Sequence, residues 1–277
     1  METACAGIVL YNPDFYRLQQ VLNAVSLQVS RVILVDNGSN NVEQVTTLLE
    51  QYKIARLVRL GENRGIAAAL NVACDIAQQE GYEQILTLDQ DTVIERDMVQ
   101  RLMPLAGEGT GIVCPRVAYE GNEEFQPQPR DAVEIVEWAI TSGSLTSLKA
   151  WKEVEGFDER MFIDGVDRDF CLRLRRKGWN VKRVNDAVMH HKLGELKCRR
   201  LLGRTIYATN HPAWRRYYMA RNRVYLCRKG LVGFGEAARW AAKEISKVVL
   251  FEKNGISKSA AIIRGVRDGF TIPVSKC

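Results

Sequence analysis

Several common frameworks are absent from this chain. Its seven cysteines, Cys5, Cys74, Cys114, Cys171, Cys198, Cys227 and Cys277, are odd in number and scattered, and none forms a Cys-x-x-Cys pair. That argues against a disulfide frame or a zinc site and for reduced, packed thiols in a cytosolic protein. No uncharged window is long enough to span a bilayer. No basic segment precedes the short apolar run of "METACAGIVLYN", so a secretory signal is not expected. The glycines of "NRGIAAALN" have the spacing of neither a dinucleotide-binding G-x-G-x-x-G nor a phosphate-binding loop. Internal repeats, low-complexity linkers, helix-turn-helix patterns and zinc-finger patterns are also missing.

What is present is an ordinary globular composition, 46% hydrophobic and 26% charged over 277 residues. That is enough for one large α/β domain, or for one domain with a smaller helical appendage. The net charge of +6 conceals a division. Residues 1–196 carry 21 Lys and Arg against 29 Asp and Glu, whereas residues 197–277 carry 18 against 4. We therefore expect a catalytic or binding domain over 1–196 and a basic, mainly helical extension over 197–277. Such an extension could meet nucleic acid, an anionic membrane or only solvent.

In the first part, "ACAGIVLY" (4–11), "RVILVD" (31–36), "ARLVRL" (55–60) and "QILTLD" (84–89) are short apolar runs rich in β-branched residues. Between them, segments 14–28, 41–52 and 65–81 place apolar residues at helical spacing. Alternating strands and helices of this kind predict an α/β fold with a mostly parallel sheet, its strands buried on both faces. Ligands bind such sheets at the carboxyl ends of the strands. Here those ends read "LYNPD", "VDNGS", "GENRG" and "LDQD".

The last of these places Asp89 and Asp91 two residues apart, which on an extended strand would point both to one face. Two converging carboxylates suit a hard divalent cation, Mg2+ or Mn2+, with substrate phosphates completing its shell. The plainer alternative is that Asp91 caps a helix starting near Glu95 while Asp89 is solvated. Asp36 and Asn37 could bond a nucleobase or ribose, or simply make a turn.

"VDNGS" (35–39), "ENRGIAAALN" (62–71) and "LDQD" (88–91), in this order and spacing, resemble the family 2 inverting glycosyltransferases of GT-A fold. With "SGSLTSLKAWKEVEGFDERMFIDGVDRDFCLRLRRKGW" (142–179), "VMHHKLGE" (188–195) and "YYMARNRVYLCRK" (217–229), the resemblance is particularly to bacterial rhamnosyltransferases that use dTDP-L-rhamnose. It covers roughly residues 4–230. Relatives using UDP- or GDP-sugars are the alternative, and a non-catalytic nucleotide-sugar-binding scaffold is a reading of another class.

The resemblance implies a metal held by Asp91, with Asp89 nearer the ribose or a metal-bound water, and His191 rather than His190 as the metal-associated histidine. It implies Asp167 as the general base, with Asp164 the runner-up because Val166 stands where the family has a second acid. Tyr11, Asp36, Asn37, Asn63 and Arg64 would surround the nucleotide. Asn71 would either join them or be an ordinary helix residue. Ser142, Gly143 and Ser144 would form a small-residue turn beside the donor sugar. Arg173, Arg175 and Arg176 are expected to form a solvated, ion-paired helix face.

In the extension, 235–253 reads as an amphipathic helix. It could lie on the cytoplasmic leaflet, where a glycan or polyprenyl-linked acceptor is presented, or pack on the domain or on a second copy of the chain. Nucleic acid is not an expected partner, because the acidic strand ends would repel phosphates without a metal.

Overall fold

The computed structural model describes residues 4–119, 129, 131–191, 197–201 and 204–274, with 119, 190, 191, 197–201 and 204–208 described for their backbone alone. Its contacts gather into two units, Met1–Glu159 with Val166–Lys192, and Arg160–Gly165 with Leu193–Cys277.

The first unit is built on β1 (Cys5–Leu10), β2 (Arg31–Asp36), β3 (Ala55–Arg59), β4 (Gln84–Asp89), β5 (Thr110–Tyr119), β6 (Val133–Ile135), β7 (Ser144–Ser147) and β8 (Asn180–His191). They form one sheet in the order β3-β2-β1-β4-β7-β5-β8-β6. The four leading strands are parallel, β7 is antiparallel to both β4 and β5, and β8 is parallel to β5 with β6 antiparallel at the edge. Around the sheet lie α1 (Phe15–Val25), α2 (Val42–Leu49), α3 (Ile66–Gln79), α4 (Met98–Leu102), α5 (Leu148–Glu153) and α6 (Val166–Arg176).

The expected strands and helices of the first ninety residues form where their patterns placed them, because their apolar runs have two faces to fill. Ile8 and Leu10 of β1, Val32 and Leu34 of β2, and Leu86 and Leu88 of β4 are buried with Leu18 and Leu22 of α1 in one core. Helix α3 packs on β1 and β2. Its buried face is largely alanine, at 67, 68, 69, 73 and 77, and such short side chains let the helix lie close to the strands. Cys5, Cys74, Cys114, Cys171 and Cys227 are buried and free. Burial pushes the Cys5 and Cys114 thiols up to about 12, so they pack as small apolar groups.

The second unit holds a hairpin of β9 (Lys197–Leu201) and β10 (Arg204–Ala208), followed by α7 (Ala213–Arg228), α8 (Phe234–Phe251) and α9 (Gly255–Gly269). One apolar cluster in it joins Ala220, Val248 and Ile262, backed by Trp240, Ile245 and Val266, and Val224, Tyr225, Leu226 and Ala261 are buried as well. Buried charge fills much of the remainder. The fully buried Arg216 donates to Glu244 and Glu252. Lys258 reaches Glu252 at 2.9 Å and Asn210 at 2.6 Å, and Lys247 reaches Glu244 at 2.6 Å. The basic extension therefore keeps part of its charge inside, where ions persist only when paired and hydrogen-bonded.

His211 lies at the edge of this network. Burial, and then the charges of Arg215 and Arg216, pull its pKa down to about 4, against a weaker opposing pull from Asp164 and Glu252. A depressed folded pKa means the unfolded chain binds the proton more readily, so the contribution is complete above the unfolded value of about 6.5 and is lost as pH falls toward 4. We expect the melting temperature of wild type to fall across that window more steeply than that of His211→Gln. Equal slopes in a pH series of thermal melts would contradict this.

Candidate active site

The register of the parallel strands brings their carboxyl ends level. Leu10 pairs with Asp36 on one side of β1, and Val9 pairs with Asp89 on the other. The chain beyond each strand is then tied to its neighbour. Gln90, the residue between the two aspartates, turns its amide to β1. Its Oε1 accepts from the Tyr11 N–H at 2.8 Å, and its Nε2 donates to the Tyr11 carbonyl at 3.2 Å. The Asn12 N–H donates to Ser39 Oγ at 2.8 Å, and Asn12 Oδ1 accepts from the Asn40 N–H at 2.9 Å.

Asp36 is 2% exposed and accepts from the N–H groups of Gly38 and Ser39 at 3.2–3.3 Å, which makes it the organiser of its own turn. Asn37 accepts from the Arg64 N–H at 2.8 Å and donates to Asn63 Oδ1 at 3.0 Å, while Asn63 Oδ1 also accepts from the Gly65 N–H at 3.0 Å. Gly38 sits at φ +83°, and a Cβ there would come within 2.6 Å of the Glu62 carbonyl carbon. Only glycine allows the two loops this approach. Of the expected nucleotide-binding set, the side chains of Asp36, Asn37 and Asn63 thus build the loops. Tyr11 is 47% exposed, and the Arg64 guanidinium stands half-exposed 3.8 Å from Glu159.

The segment after β4 is pinned from three directions. The Asp89 N–H donates to Ser142 Oγ at 2.9 Å, and that hydroxyl donates to Thr92 Oγ1 at 2.8 Å. Arg17 of α1 donates to the Asp91 carbonyl at 2.6 Å, and Gln90 supplies the tie to β1 already described. The chain leaves the strand at Gln90, and the Thr92 N–H closes a turn on the Asp89 carbonyl at 3.2 Å. Asp91 is therefore a turn residue, and strand alternation does not set its direction. Nor does it cap a helix, since α4 begins at Met98 with Asp97 in the cap position. The Asp91 carboxylate is exposed, and no partner holds it among the described residues.

No group of three His, Cys, Asp or Glu side chains gathers around a common point among the described residues. His191 pairs through its backbone with Tyr119 at the end of β8, and its side chain lies outside the described residues.

The turn at 142–144 faces inward. Ser142 is 2% exposed, Gly143 donates to the Thr87 carbonyl at 2.8 Å, and Ser144 Oγ donates to the Ile140 carbonyl at 2.6 Å. Gly143 has φ +80°, and a Cβ on it would lie 2.5 Å from Met189 Sδ. Met189 fills the space that its missing side chain leaves.

The acids around α6 separate by their partners. Asp164, at φ +64° in the second unit, is ion-paired with Arg215 at 2.9 Å. Asp169 is fully buried and accepts from Arg173 Nε at 2.7 Å. Arg173 also donates to the carbonyls of Val154 and Gly156, so it is a buried tie between α6 and the turn after α5, not part of a solvated face. Asp167 is in the first turn of α6, partly exposed, and its Oδ1 accepts from the Arg168 N–H at 2.8 Å.

Asn71 is structural. Its Oδ1 accepts from Trp151 Nε1 at 3.1 Å and the Phe157 N–H at 2.8 Å, and its Nδ2 donates to the Phe157 carbonyl at 2.9 Å and Glu159 at 3.0 Å. Asn71→Ala removes all four. We expect a loss of about 1–3 kcal/mol, a fall of roughly 2–5 °C in Tm for a chain of this size, with nucleotide affinity retained. A thermal melt within 1 °C of wild type would contradict it.

The sequence between the first strand and the end of α6 matches the family model of glycosyl transferase family 2, over residues 5–176. The chain belongs to glycosyl transferase family 2. It is a glycosyltransferase with an α/β fold of the GT-A kind. Among its relatives is the dTDP-rhamnosyl transferase RfbF of Shigella flexneri, 30% identical over 243 residues covering 82% of this chain and 80% of that one. An N-acetylglucosaminyl-diphospho-decaprenol L-rhamnosyltransferase of Mycobacterium tuberculosis is 26% identical, covering 66% and 74%.

Solved structures of the same fold include the mannosyltransferase PcManGT of Pyrobaculum calidifontis in complex with GDP-Man and Mn2+, with TM-score 0.59, 16% identity, and 97% and 87% covered. The S. aureus TarS 1–349 complex with UDP gives TM-score 0.55 at 13% identity, covering 96% and 89%.

Proposed function

We propose that the enzyme transfers L-rhamnose, with inversion, from dTDP-L-rhamnose to a hydroxyl of a cell-surface glycan or a lipid-linked glycan precursor. The observation that carries this is the Asp91 carboxylate: exposed and unpartnered among the described residues, on a backbone fixed by Gln90, Ser142 and Arg17. A carboxylate so held, next to Asp89, suits a divalent cation that keeps part of its shell for a substrate diphosphate. Asp91 and Asp89, with His191, are the residues we assign to Mg2+ or Mn2+, whose charge would stabilise the departing diphosphate. The rhamnosyl relatives supply the choice of sugar.

In the proposed reaction, Asp167 takes the proton of the acceptor hydroxyl as its oxygen bonds to the anomeric carbon. The bond from that carbon to the diphosphate oxygen breaks on the opposite face, and dTDP leaves with the electron pair. Tyr11 and Arg64 present an aromatic face and a guanidinium to the nucleotide, and Asp36, Asn37 and Asn63 hold the loops that shape its seat. Release of dTDP from dTDP-L-rhamnose, faster than release of UDP from UDP-glucose or GDP from GDP-mannose, is the expected result. A UDP- or GDP-sugar preferred instead would overturn the sugar. Binding without turnover of any donor would favour the scaffold.

We further place the enzyme on the cytoplasmic face of the membrane. Among the described residues no helix is long and apolar enough to cross a membrane. The paired helices α8 and α9 expose Val249, Leu250, Ile256 and Ile263, between 57% and 89%. Exposed Lys243, Lys253, Arg264 and Arg267 stand among them. The four acids of 197–277 are each engaged by a cation: Glu236 by Arg223, Glu244 by Arg216 and Lys247, Glu252 by Arg216 and Lys258, and Asp268 by Arg267. Apart from Arg267, paired with Asp268, these cations have no ion pair among the described residues, and apolar side chains beside such cations fit an anionic bilayer surface. Flotation with anionic vesicles at low salt, lost at about 1 M salt where the Debye length is about 3 Å, is expected. No flotation at low salt would contradict it.

A further inference from the structure

Beside the candidate site, the first unit contains a cavity of about 230 Å3, lined among others by Trp138, Ile140, Ser142, Arg116, Val117 and Arg183. That is just under the about 300–1,000 Å3 of typical small-molecule sites, the scale of one sugar ring and not of a nucleotide. No role in the reaction described so far uses it.

Two of its walls connect to that reaction. Ser142 lines the cavity and also holds the Asp89 N–H at 2.9 Å. Ala139, another lining residue, meets Cys171 of α6, its N–H lying 3.5 Å and its carbonyl 3.7 Å from the sulfur. Cys171 is one helical turn beyond Asp167, and residues four apart share a face of a helix. The segment 139–142 therefore runs from the stripe of α6 that carries Asp167 to the end of β4 that carries Asp89. Asp167 and Asp89 do not line the cavity itself; a ring seated in it would present its nucleophilic hydroxyl at the rim, between the base and the departing diphosphate.

The lining suits a carbohydrate. Trp138 is 44% exposed, and its indole N–H meets no acceptor among the described residues. An indole offers an apolar face for the C–H side of a pyranose and a donor at its edge. Arg116 and Arg183 form a charged wall that is held in place, Arg116 donating to the Asn185 carbonyl at 3.3 Å and Arg183 to Glu134 at 2.5 Å and Asn185 Oδ1 at 3.2 Å.

We propose that this cavity is the acceptor subsite, seating the sugar ring that bears the nucleophilic hydroxyl with Trp138 as its stacking platform. The assignment rests on the reading of Asp167 as base and of the β4 end as donor site.

The test uses ligand-detected NMR on the full chain with Mg2+ and saturating dTDP, probed with the methyl glycosides of rhamnose, glucose, galactose and N-acetylglucosamine. At least one should give a saturable signal. Its dissociation constant should rise at least tenfold in Trp138→Ala and recover most of the loss in Trp138→Phe, while the dTDP dissociation constant stays within twofold of wild type. The proposal is overturned if none of the four binds, if Trp138→Ala binds as wild type does, or if dTDP affinity falls by the same factor. It is also overturned if, in Asp167→Asn, where transfer is blocked, the signal seen with dTDP vanishes when dTDP-L-rhamnose replaces it, since the cavity would then belong to the donor sugar. Failure of dTDP to bind wild type is a separate outcome, which removes the donor reading and this subsite with it.

Discussion

Asp91→Asn should retain the fold and lose metal-dependent donor binding. The carboxylate is exposed and its neighbours are tied to backbone atoms, Gln90 to Tyr11 and Arg17 to the residue's own carbonyl. An amide of the same shape therefore disturbs nothing that holds the loop. What it removes is a negative charge at the point where a cation and a diphosphate are to meet. We expect kcat/KM for dTDP-L-rhamnose to fall about a thousandfold, equivalent to about 4 kcal/mol of transition-state stabilisation, with Tm within 2 °C of wild type in the absence of ligand. Steady-state kinetics at saturating Mn2+ decide it. A variant within about tenfold of wild type would show that this carboxylate is not a ligand of the metal.

Asp167→Asn is the second large effect, and its signature differs. Loss of a general base costs about 10^2–10^4 in kcat, whereas the proposed nucleotide seat around Tyr11, Asn37 and Arg64 is untouched. Transfer should collapse while the dissociation constant for dTDP stays put. Asp164→Asn is the internal comparison. That residue has a cation of its own, Arg215 at 2.9 Å, with side chains 20% and 36% exposed, so the change should cost about 1–3 kcal/mol of stability and little chemistry. If Asp164→Asn abolished transfer and Asp167→Asn did not, the base would be Asp164.

The parallel half of the sheet was legible because its strands bury both faces. "RVILVD" and "QILTLD" read as strands and are strands over the same residues. The turn after β4 was not legible. Two aspartates drew attention as an alternating pair, while the residue that shapes the loop is Gln90, whose partner is the backbone of Tyr11, 79 residues away. Its place between two acids held a clue, since it must point away from both on any extended chain.

Small residues at 142–144 looked like room for a sugar. Whether a gap stays open depends on what packs into it, here Met189. Arg173 belongs to a run of arginines that reads as a solvated face, yet carbonyls at 154 and 156 and the carboxylate of Asp169 draw it inside. Asp164 and Asp167 were inseparable by spacing. Arg215, 51 residues on from Asp164, separates them.

The central claim is a metal-dependent thymidine diphosphate site at the end of β4, and thermal shift with dTDP, UDP and GDP, each with Mn2+ and again with EDTA, tests it most directly. A ligand at 100 times its dissociation constant adds about 2.7 kcal/mol, a rise of roughly 5 °C for a chain of this size. The account predicts that rise for dTDP with Mn2+ in wild type, with no rise in EDTA and none in Asp91→Asn. An equal rise in EDTA, or an undiminished one in Asp91→Asn, would contradict it.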